Sequence, residues 1–168
     1  MTKSYLLSLL LVVAFLTTGI GQKYAYINST ELLIAMPQVK TADTQLETYQ
    51  KQLMTKGETM EKAFQTEYNK YITEAQEGTL TGLQMQQRES ALAQQQQEIQ
   101  KYAVEVQQLL GAKKQELYEP ILQKVRDVVQ EIGKAQEYTM IFDGSVGGLL
   151  FAADADNIMT EVKAKLGI

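Results

Sequence analysis

Residues 38–119 read QVKTADTQLETYQKQLMTKGETMEKAFQTEYNKYITEAQEGTLTGLQMQQRESALAQQQQEIQKYAVEVQQLLGAKKQELYE, and this stretch decides the fold. Apolar residues recur in it about every 3.6 residues, the period of a nearly straight α-helix. The period breaks at the glycine-bounded turn of residues 78–82, which predicts two long helices folded back on each other. The apolar face of the first helix comprises Val39, Ala42, Leu46, Tyr49, Leu53, Gly57, Met60, Phe64, Tyr68, Tyr71 and Ala75.

The second helix has the same period and is predicted to face the first along its whole length. Folding the chain at Leu80 brings Ala75 near Met85 and places Gly57 level with Tyr102. A glycine there either leaves room for the tyrosine ring or lets the helix flex. The apolar face of the second helix comprises Met85, Leu92, Ile99, Ala103, Val106, Leu110, Leu117 and Ile121, interrupted by the polar residues Arg88, Gln96 and Lys114.

The first 21 residues have the features of a secretory signal peptide. Lys3 supplies the charged start, residues 5–16 form an apolar core, and Gly19-Ile20-Gly21 is a cleavage site of small residues. The apolar run is shorter than a membrane-spanning helix needs, so we expect cleavage after Gly21 and export. The chain has no Cys, which excludes a lipid anchor at the cleavage site, disulfides and thiolate metal sites.

Composition argues against several classes of function. The chain carries 16 Lys and Arg against 20 Asp and Glu, a net charge of −4. Nucleic-acid binding needs a basic face, and binding to an anionic membrane needs a basic cluster. The chain has no His, the residue that most often serves acid–base catalysis at neutral pH. We therefore predict no nucleic-acid binding, weak or no direct membrane binding, no catalytic residues and no enzyme activity.

Two short motifs could suggest a cofactor or a metal, but neither has the required context. The glycine-rich residues 144–148 are followed by no helix, as a phosphate loop would be. The acidic residues 154–157 lack the glycine and the distal glutamate of a Ca²⁺ loop. We predict no cofactor and no metal site.

The N-terminal end of the mature chain is predicted to form a small strand and helix. Residues 23–27 are rich in Tyr and Ile and favour a strand. Asn28 and Glu31 have the spacing of a capping box for a short helix over residues 29–35. Pro37 suits the first turn of the following long helix.

The C-terminal end is predicted to hold a core. Pro120 is expected to interrupt the second long helix, and a wider apolar stripe follows it, comprising Ile121, Leu122, Val125, Val128, Val129 and Ile132. Residues 138–142 and 148–152 are predicted to pair as a hairpin around the turn at residues 143–147. A last helix carries Ile158, Val162 and Leu166 on one face.

These elements predict an α+β protein, mainly α. Residues 22–37 and 120–168 form a small body with about three strands, and residues 38–119 form a helical hairpin arm inserted between strands, with its tip near residues 78–82. Two helices bury only a narrow stripe, so apolar side chains near the tip should stay exposed, and such surface usually marks a binding site. The candidate binding residues are Phe64, Tyr68, Tyr71, Ile72, Leu80, Leu83 and Met85.

The assembled pattern resembles the Skp/OmpH family of periplasmic chaperones over essentially the whole mature chain. The signal peptide, the sequence Tyr26-Ile27-Asn28 before a short helix and the long polar hairpin all match. The most specific matching segments are LYEPI at residues 117–121, KV at 124–125, EYTMIFD at 137–143, GLLFA at 148–152 and DNI at 156–158. The best-known members are strongly basic, whereas this chain is acidic and its residues 73–100 hold a single basic residue, Arg88.

The resemblance implies a homotrimer in which short strands from three chains make a central body and three hairpins enclose a cavity. An unfolded outer-membrane protein would be held in that cavity against aggregation, without ATP. Three short strands and three helical pieces are too few to close a core, and their open edges need cover, which agrees with an obligate trimer. The predicted trimer residues are Tyr26, Ile121, Val125, Val128, Val129, Ile132, Ile141 and Leu150.

We therefore predict an ATP-independent periplasmic holdase that binds unfolded outer-membrane proteins. The alternative is an exported coiled-coil scaffold or spacer whose hairpin binds one specific envelope protein. The two differ in selectivity, because a holdase should suppress the aggregation of several unrelated unfolded β-barrel proteins and a scaffold of none.

Overall fold

The computed structural model describes residues 22–168, so the predicted signal peptide and its cleavage site lie outside the described residues. In chain order the elements are β1 (Tyr24–Ile27), α1 (Ser29–Ala35), α2 (Pro37–Gln76), α3 (Gly82–Ala135), β2 (Met140–Asp143) and α4 (Met159–Leu166). Short 3₁₀ turns at Gly144–Val146 and Asp154–Asp156 connect the last elements. The predicted α+β, mainly-α fold class is confirmed.

The described chain divides into two compact units. The first, here called the arm, comprises residues 34–124. The second, here called the body, comprises the described residues before 34 together with residues 125–168. The last turns of α3 therefore belong to the body and the rest of α3 to the arm.

Local sequence signals set the ends of the arm helices. Met36 is extended, with φ −81° and ψ 122°, and Pro37 opens α2, because proline restricts the residue before it and suits a first helical turn. At the tip, Gly78 has a φ of +66°, which glycine adopts without strain. Thr81 and Gln84 then form a reciprocal capping box: Thr81 N–H donates to Gln84 Oε1 at 2.9 Å, and Gln84 N–H donates to Thr81 Oγ1 at 3.3 Å.

The predicted interruption of the second long helix at Pro120 is wrong. The helix α3 runs for 54 residues from Gly82 to Ala135 with Pro120 inside it. A proline removes one backbone hydrogen bond from the ladder. The regular turns on either side continue the helix through this position.

The predicted hairpin of residues 138–142 and 148–152 is also wrong. The strand β2 pairs in parallel with β1, with Tyr24 opposite Met140 and Ile27 opposite Asp143, and residues 148–152 pair with no strand among residues 22–168. The physical reason lies at Asp143, whose carboxylate accepts a hydrogen bond from the Ser145 N–H at 2.9 Å. This cap starts a 3₁₀ turn where a hairpin turn was expected, so the described chain has two strands rather than three.

The body buries one face of this small sheet. Asn28 caps α1 by accepting from the Glu31 N–H at 3.0 Å, and Asn157 caps α4 by accepting from the Met159 N–H at 2.9 Å. The predicted apolar face of α4 is confirmed as buried. The buried side chains of the body are Ala25, Ile27, Leu32, Ile132, Ile158, Met159, Val162 and Leu166.

Candidate functional site

Hydrogen bonds between α2 and α3 fix how the two arm helices are paired. The Tyr71 hydroxyl donates to Glu89 Oε1 at 2.6 Å, and Tyr118 donates to the carboxylate of Asp43. Both contacts agree with a hairpin folded at Leu80, so the predicted pairing is confirmed at each end of the arm.

The tightest contact in the arm is made by Tyr102. Its side chain is buried, and its hydroxyl donates to the backbone carbonyl of Leu53 at 3.0 Å. A Cβ added to Gly57 would lie 3.6 Å from Tyr102 Cε1, so Gly57 leaves room for the ring, one of the two roles predicted for it. The predicted interior position of Ala103 is wrong, since that residue is exposed and its neighbour Tyr102 is buried instead.

Tyr102 and Gly57 divide the arm into two segments that differ in burial. The proximal segment comprises residues 38–57 and 102–118, and the distal segment comprises residues 58–101. The buried side chains of the proximal segment are Ala42, Leu53 and Tyr102. No side chain of the distal segment is buried, so its apolar residues stay open to a binding partner.

The predicted binding residues all lie in the distal segment or at its tip. Tyr68 and Leu83 are exposed, at 43% and 67%. The rings of Phe64 and Tyr68 are stacked with their centroids 6.1 Å apart. The half-buried members of the set are Phe64, Tyr71, Ile72, Leu80 and Met85. The structure therefore arranges these residues along the hairpin as an open strip and does not gather them into a pocket.

A polar cluster within this strip was not predicted from the sequence. Arg88 Nη1 lies 3.3 Å from Glu67 Oε2, and Arg88 Nη2 lies 3.3 Å from Glu74 Oε2. The two glutamates are seven residues apart, two helical turns, so they lie on the same side of α2. That spacing, opposite the single basic residue of residues 73–100, is the signal that could have revealed the cluster.

Two tyrosines of the arm have perturbed acidity. The hydrogen bond to Glu89, with smaller contributions from burial and from the negative charge of Glu89, raises the pKa of Tyr71. The hydrogen bond to Asp43 raises the pKa of Tyr118 in the same way. Both phenols therefore stay protonated, and keep donating between the helices, throughout the neutral range.

The body presents an apolar face opposite its core. Tyr24, Met140 and Phe142 are exposed on the outer side of the sheet at 40%, 55% and 44%. They line an open pocket of about 460 Å³ together with Phe151, which is 87% exposed. Leu150 beside it is 97% exposed.

The predicted trimer residues have different surroundings. Ile132 is fully buried in the body core and Leu150 is almost fully exposed. Ile121 belongs to the arm unit rather than the body. The half-buried members of the set are Tyr26, Ile121, Val125, Val128, Val129 and Ile141.

Asp143 links the end of β2 to the start of α1. Its carboxylate accepts from the Ser29 N–H at 3.1 Å, from the Ser29 hydroxyl at 2.5 Å and from the Ser145 N–H at 2.9 Å. Partial burial alone would raise the pKa of Asp143, but hydrogen bonds from Ser29 and Ser145 outweigh it and lower the pKa to about 2. These bonds give the Asp143 carboxylate a structural role, because it caps the start of α1 and the 3₁₀ turn that follows β2.

Residues 22–168 contain neither a candidate membrane-spanning helix nor a candidate cluster of metal ligands. No helix among these residues is long and apolar enough to cross a membrane. In the same part of the chain, no group of three or more acidic side chains could hold a metal ion.

Comparisons with known proteins agree with this architecture. The family model for outer membrane proteins of the OmpH-like type matches residues 23–166. Among curated proteins, none matches the sequence. A solved structure from Caulobacter crescentus, described as a candidate outer membrane chaperone (OmpH-like), superposes with a TM-score of 0.73 at 18% identity, covering 86% of this chain and 83% of that chain. At this identity the superposition establishes a shared fold.

Proposed function

The chain belongs to the OmpH-like family of outer membrane proteins, and on that premise we propose that it is a periplasmic chaperone. It acts as an ATP-independent holdase: it binds unfolded outer-membrane proteins after export and prevents their aggregation. It performs no covalent chemistry, because its task is to provide many weak contacts.

The observation that carries this proposal is the open strip of apolar side chains along the distal segment. Tyr68 and Leu83 are exposed and their apolar neighbours are half-buried, so an unfolded chain can reach them along much of the hairpin. Exposed apolar surface of this extent marks an interaction site. Tyr and Met side chains adapt to varied partners, as a chaperone for several clients requires.

The outer face of the body sheet supports assembly into a homotrimer. A two-stranded sheet is marginally stable by itself, and the unpaired backbone groups at its edges can pair with a strand of another chain. Here Met140, Phe142 and Phe151 leave an apolar face open, and the unpaired residues 148–152 lie beside it. Copies of the chain would cover this face and give residues 148–152 a strand to pair with. The number three comes from the family resemblance.

Assembly can be tested by light scattering of the mature protein during size-exclusion chromatography. We expect a mass of three chains, and we expect Phe142→Lys to lower it because a charge would enter the covered face. Ile34→Lys is the matched control, since Ile34 is 77% exposed and lies in the arm unit. A monomeric wild type, or equal masses for the two variants, would contradict the trimer.

Holdase activity can be tested by aggregation of urea-denatured β-barrel proteins on dilution. The mature protein should keep several unrelated barrels in solution without ATP. A double variant, Tyr68→Ser with Leu83→Ser, should lose part of this protection, and Thr66→Ser is an exposed control in the same segment. Protection of no barrel protein would favour a scaffold that binds one specific envelope protein.

Salt should distinguish apolar capture from electrostatic capture. The chain is acidic overall, and exposed charges are screened beyond roughly 8 Å at physiological salt. Apolar contacts are not weakened by salt. We therefore expect the affinity for a fluorescent unfolded barrel protein to stay unchanged or rise slightly up to about 0.5 M NaCl, where screening is stronger still. A steep loss of affinity would show that charge governs capture.

A further inference from the structure

The distal segment is held together by different contacts from the rest of the arm. In the proximal segment Tyr102, Leu53 and Ala42 are buried. In the distal segment no side chain is buried, and Glu67, Glu74, Arg88 and Gln95 interrupt its apolar strip. Burial of apolar surface is the main source of helix-pair stability, so the distal segment needs another contact to stay closed.

Two polar contacts join the helices of the distal segment: the Tyr71–Glu89 hydrogen bond and the cluster around Arg88. Its guanidinium reaches two carboxylates of the opposite helix, each at 3.3 Å. The side chains remain accessible: Arg88 is 36% exposed, Glu67 46% and Glu74 26%. Ion pairs this accessible are weakened by salt.

The packing beside the cluster is imperfect. A gap of about 40 Å³ is lined by Glu67, Tyr71, Arg88, Leu92 and Gln95 among others. The Oε1 atom of Gln95 is buried there with no hydrogen-bond donor from the protein. A gap of this size has room for water between the helices, so apolar packing contributes little at the point where Arg88 joins them.

We propose that the Arg88 cluster is a salt-sensitive clasp, and that the distal segment opens as a unit separate from the proximal segment. In the closed state Arg88 ties the two helices together near the tip. When its contacts break, the turns of residues 58–101 unravel locally while Tyr102 keeps the proximal helices paired. Opening exposes the half-buried faces of Phe64 and Leu92. Local unfolding of weakly packed segments is a general property of proteins.

Hydrogen–deuterium exchange of the full mature protein, read peptide by peptide without any client, tests the clasp. We expect Arg88→Met to speed exchange in residues 58–101 by on the order of fivefold, the ratio equivalent to about 1 kcal/mol, and to leave the proximal segment unchanged. Methionine keeps most of the length of arginine and removes only its charge and donors. The chaperone proposal can fail without affecting this result.

A matched control removes a charge of the same sign from the same helix. Lys113 is half-buried on the inner side of α3, and its ion pair at 2.7 Å is with Glu116 on its own helix. The variant Lys113→Met therefore loses a charge and an ion pair, but that ion pair does not join the two helices. We expect it to leave exchange in residues 58–101 as in the wild type.

Salt and charge reversal separate a clasp from a general packing role. Raising NaCl from about 0.02 M to about 0.5 M should speed distal exchange in the wild type, because the screening length falls several-fold, and should change Arg88→Met little. Arg88→Glu should open the distal segment further, and adding Glu67→Arg and Glu74→Arg should restore protection. Unchanged exchange in Arg88→Met, a uniform rise along the whole arm, or a failed restoration would each overturn the proposal.

Discussion

The proximal and distal segments of the arm have the same helical period but are stabilised differently. The proximal segment encloses Tyr102 between Gly57 and Leu53, with a ring contact and a hydrogen bond. The distal segment relies on Arg88 with two accessible carboxylates and on the Tyr71–Glu89 hydrogen bond. Binding surfaces are drawn from the less stable parts of proteins. The difference therefore assigns stability to one end of the hairpin and accessibility to the other.

The largest expected difference between the segments comes from removing one aromatic ring from each. Tyr102→Ala should destabilise the protein by about 3–5 kcal/mol, as for other large buried side chains. Tyr68→Ala should cost less than about 1 kcal/mol, because Tyr68 is 43% exposed. Urea unfolding followed by circular dichroism, at a fixed protein concentration, measures both. Equal losses would mean that the two segments are packed alike.

A second substitution tests whether the space at Gly57 is filled by Tyr102. Gly57→Leu should destabilise by about 1–3 kcal/mol, because the added atoms must displace the ring. Gly111→Leu is the control on the other helix, since nothing lies within 4 Å of a Cβ added there. Gly111→Leu should instead stabilise the helix by up to about 1 kcal/mol, because it removes the cost of a glycine in a helix interior. The same sign for both variants would argue against the close contact.

A third test compares single hydroxyl groups. Tyr102→Phe removes a buried hydrogen bond to the Leu53 carbonyl, and we expect a loss of about 1 kcal/mol. Tyr71→Phe removes an accessible hydrogen bond to Glu89, and we expect a few tenths of a kcal/mol. In hydrogen exchange, Tyr102→Phe should lower the protection of proximal peptides, and Tyr71→Phe should lower the protection of distal peptides.

The arm was largely predictable from the sequence because its signals are local and periodic. The period of about 3.6 residues and the glycines of the tip are enough to predict two paired helices, and Pro37 marks where the first begins. Periodicity does not fix which of two neighbouring residues faces the other helix. The sequence placed Ala103 and Gln96 on the inner face of α3, whereas Tyr102 and Gln95 lie there. An error of one position is small for the fold but decides which side chain makes the buried contact.

The body was less predictable because its contacts join distant parts of the chain. Residues 148–152 have the composition of a strand, and Asp143 to Gly147 that of a turn, so a hairpin was the natural expectation. The parallel pairing of β1 with β2 connects residues more than a hundred positions apart, and no local sequence pattern predicts it. The Arg88 cluster was missed for a different reason, since the spacing of Glu67 and Glu74 points to it only when the two helices are compared with each other.

The smallest expected effect is a gain in stability at the boundary between the two segments. A Cβ at Gly57 would meet Tyr102 Cε1 at 3.6 Å, an ordinary contact. Gly57→Ala should therefore fit without displacing the ring, and should stabilise the helix by about 0.5–1 kcal/mol through the lower backbone entropy of the unfolded chain. Gly111→Ala should give a similar gain without touching Tyr102.

The two alanine variants separate helix propensity from flexibility at this boundary. If Gly57 serves only to leave room for Tyr102, both variants should raise the urea midpoint equally and leave distal hydrogen exchange unchanged. If Gly57 is also the point where the distal helix bends as it opens, Gly57→Ala should in addition slow exchange in residues 58–101, and Gly111→Ala should not. That difference would locate the hinge of the distal segment one helical turn from the Leu53 carbonyl that Tyr102 holds.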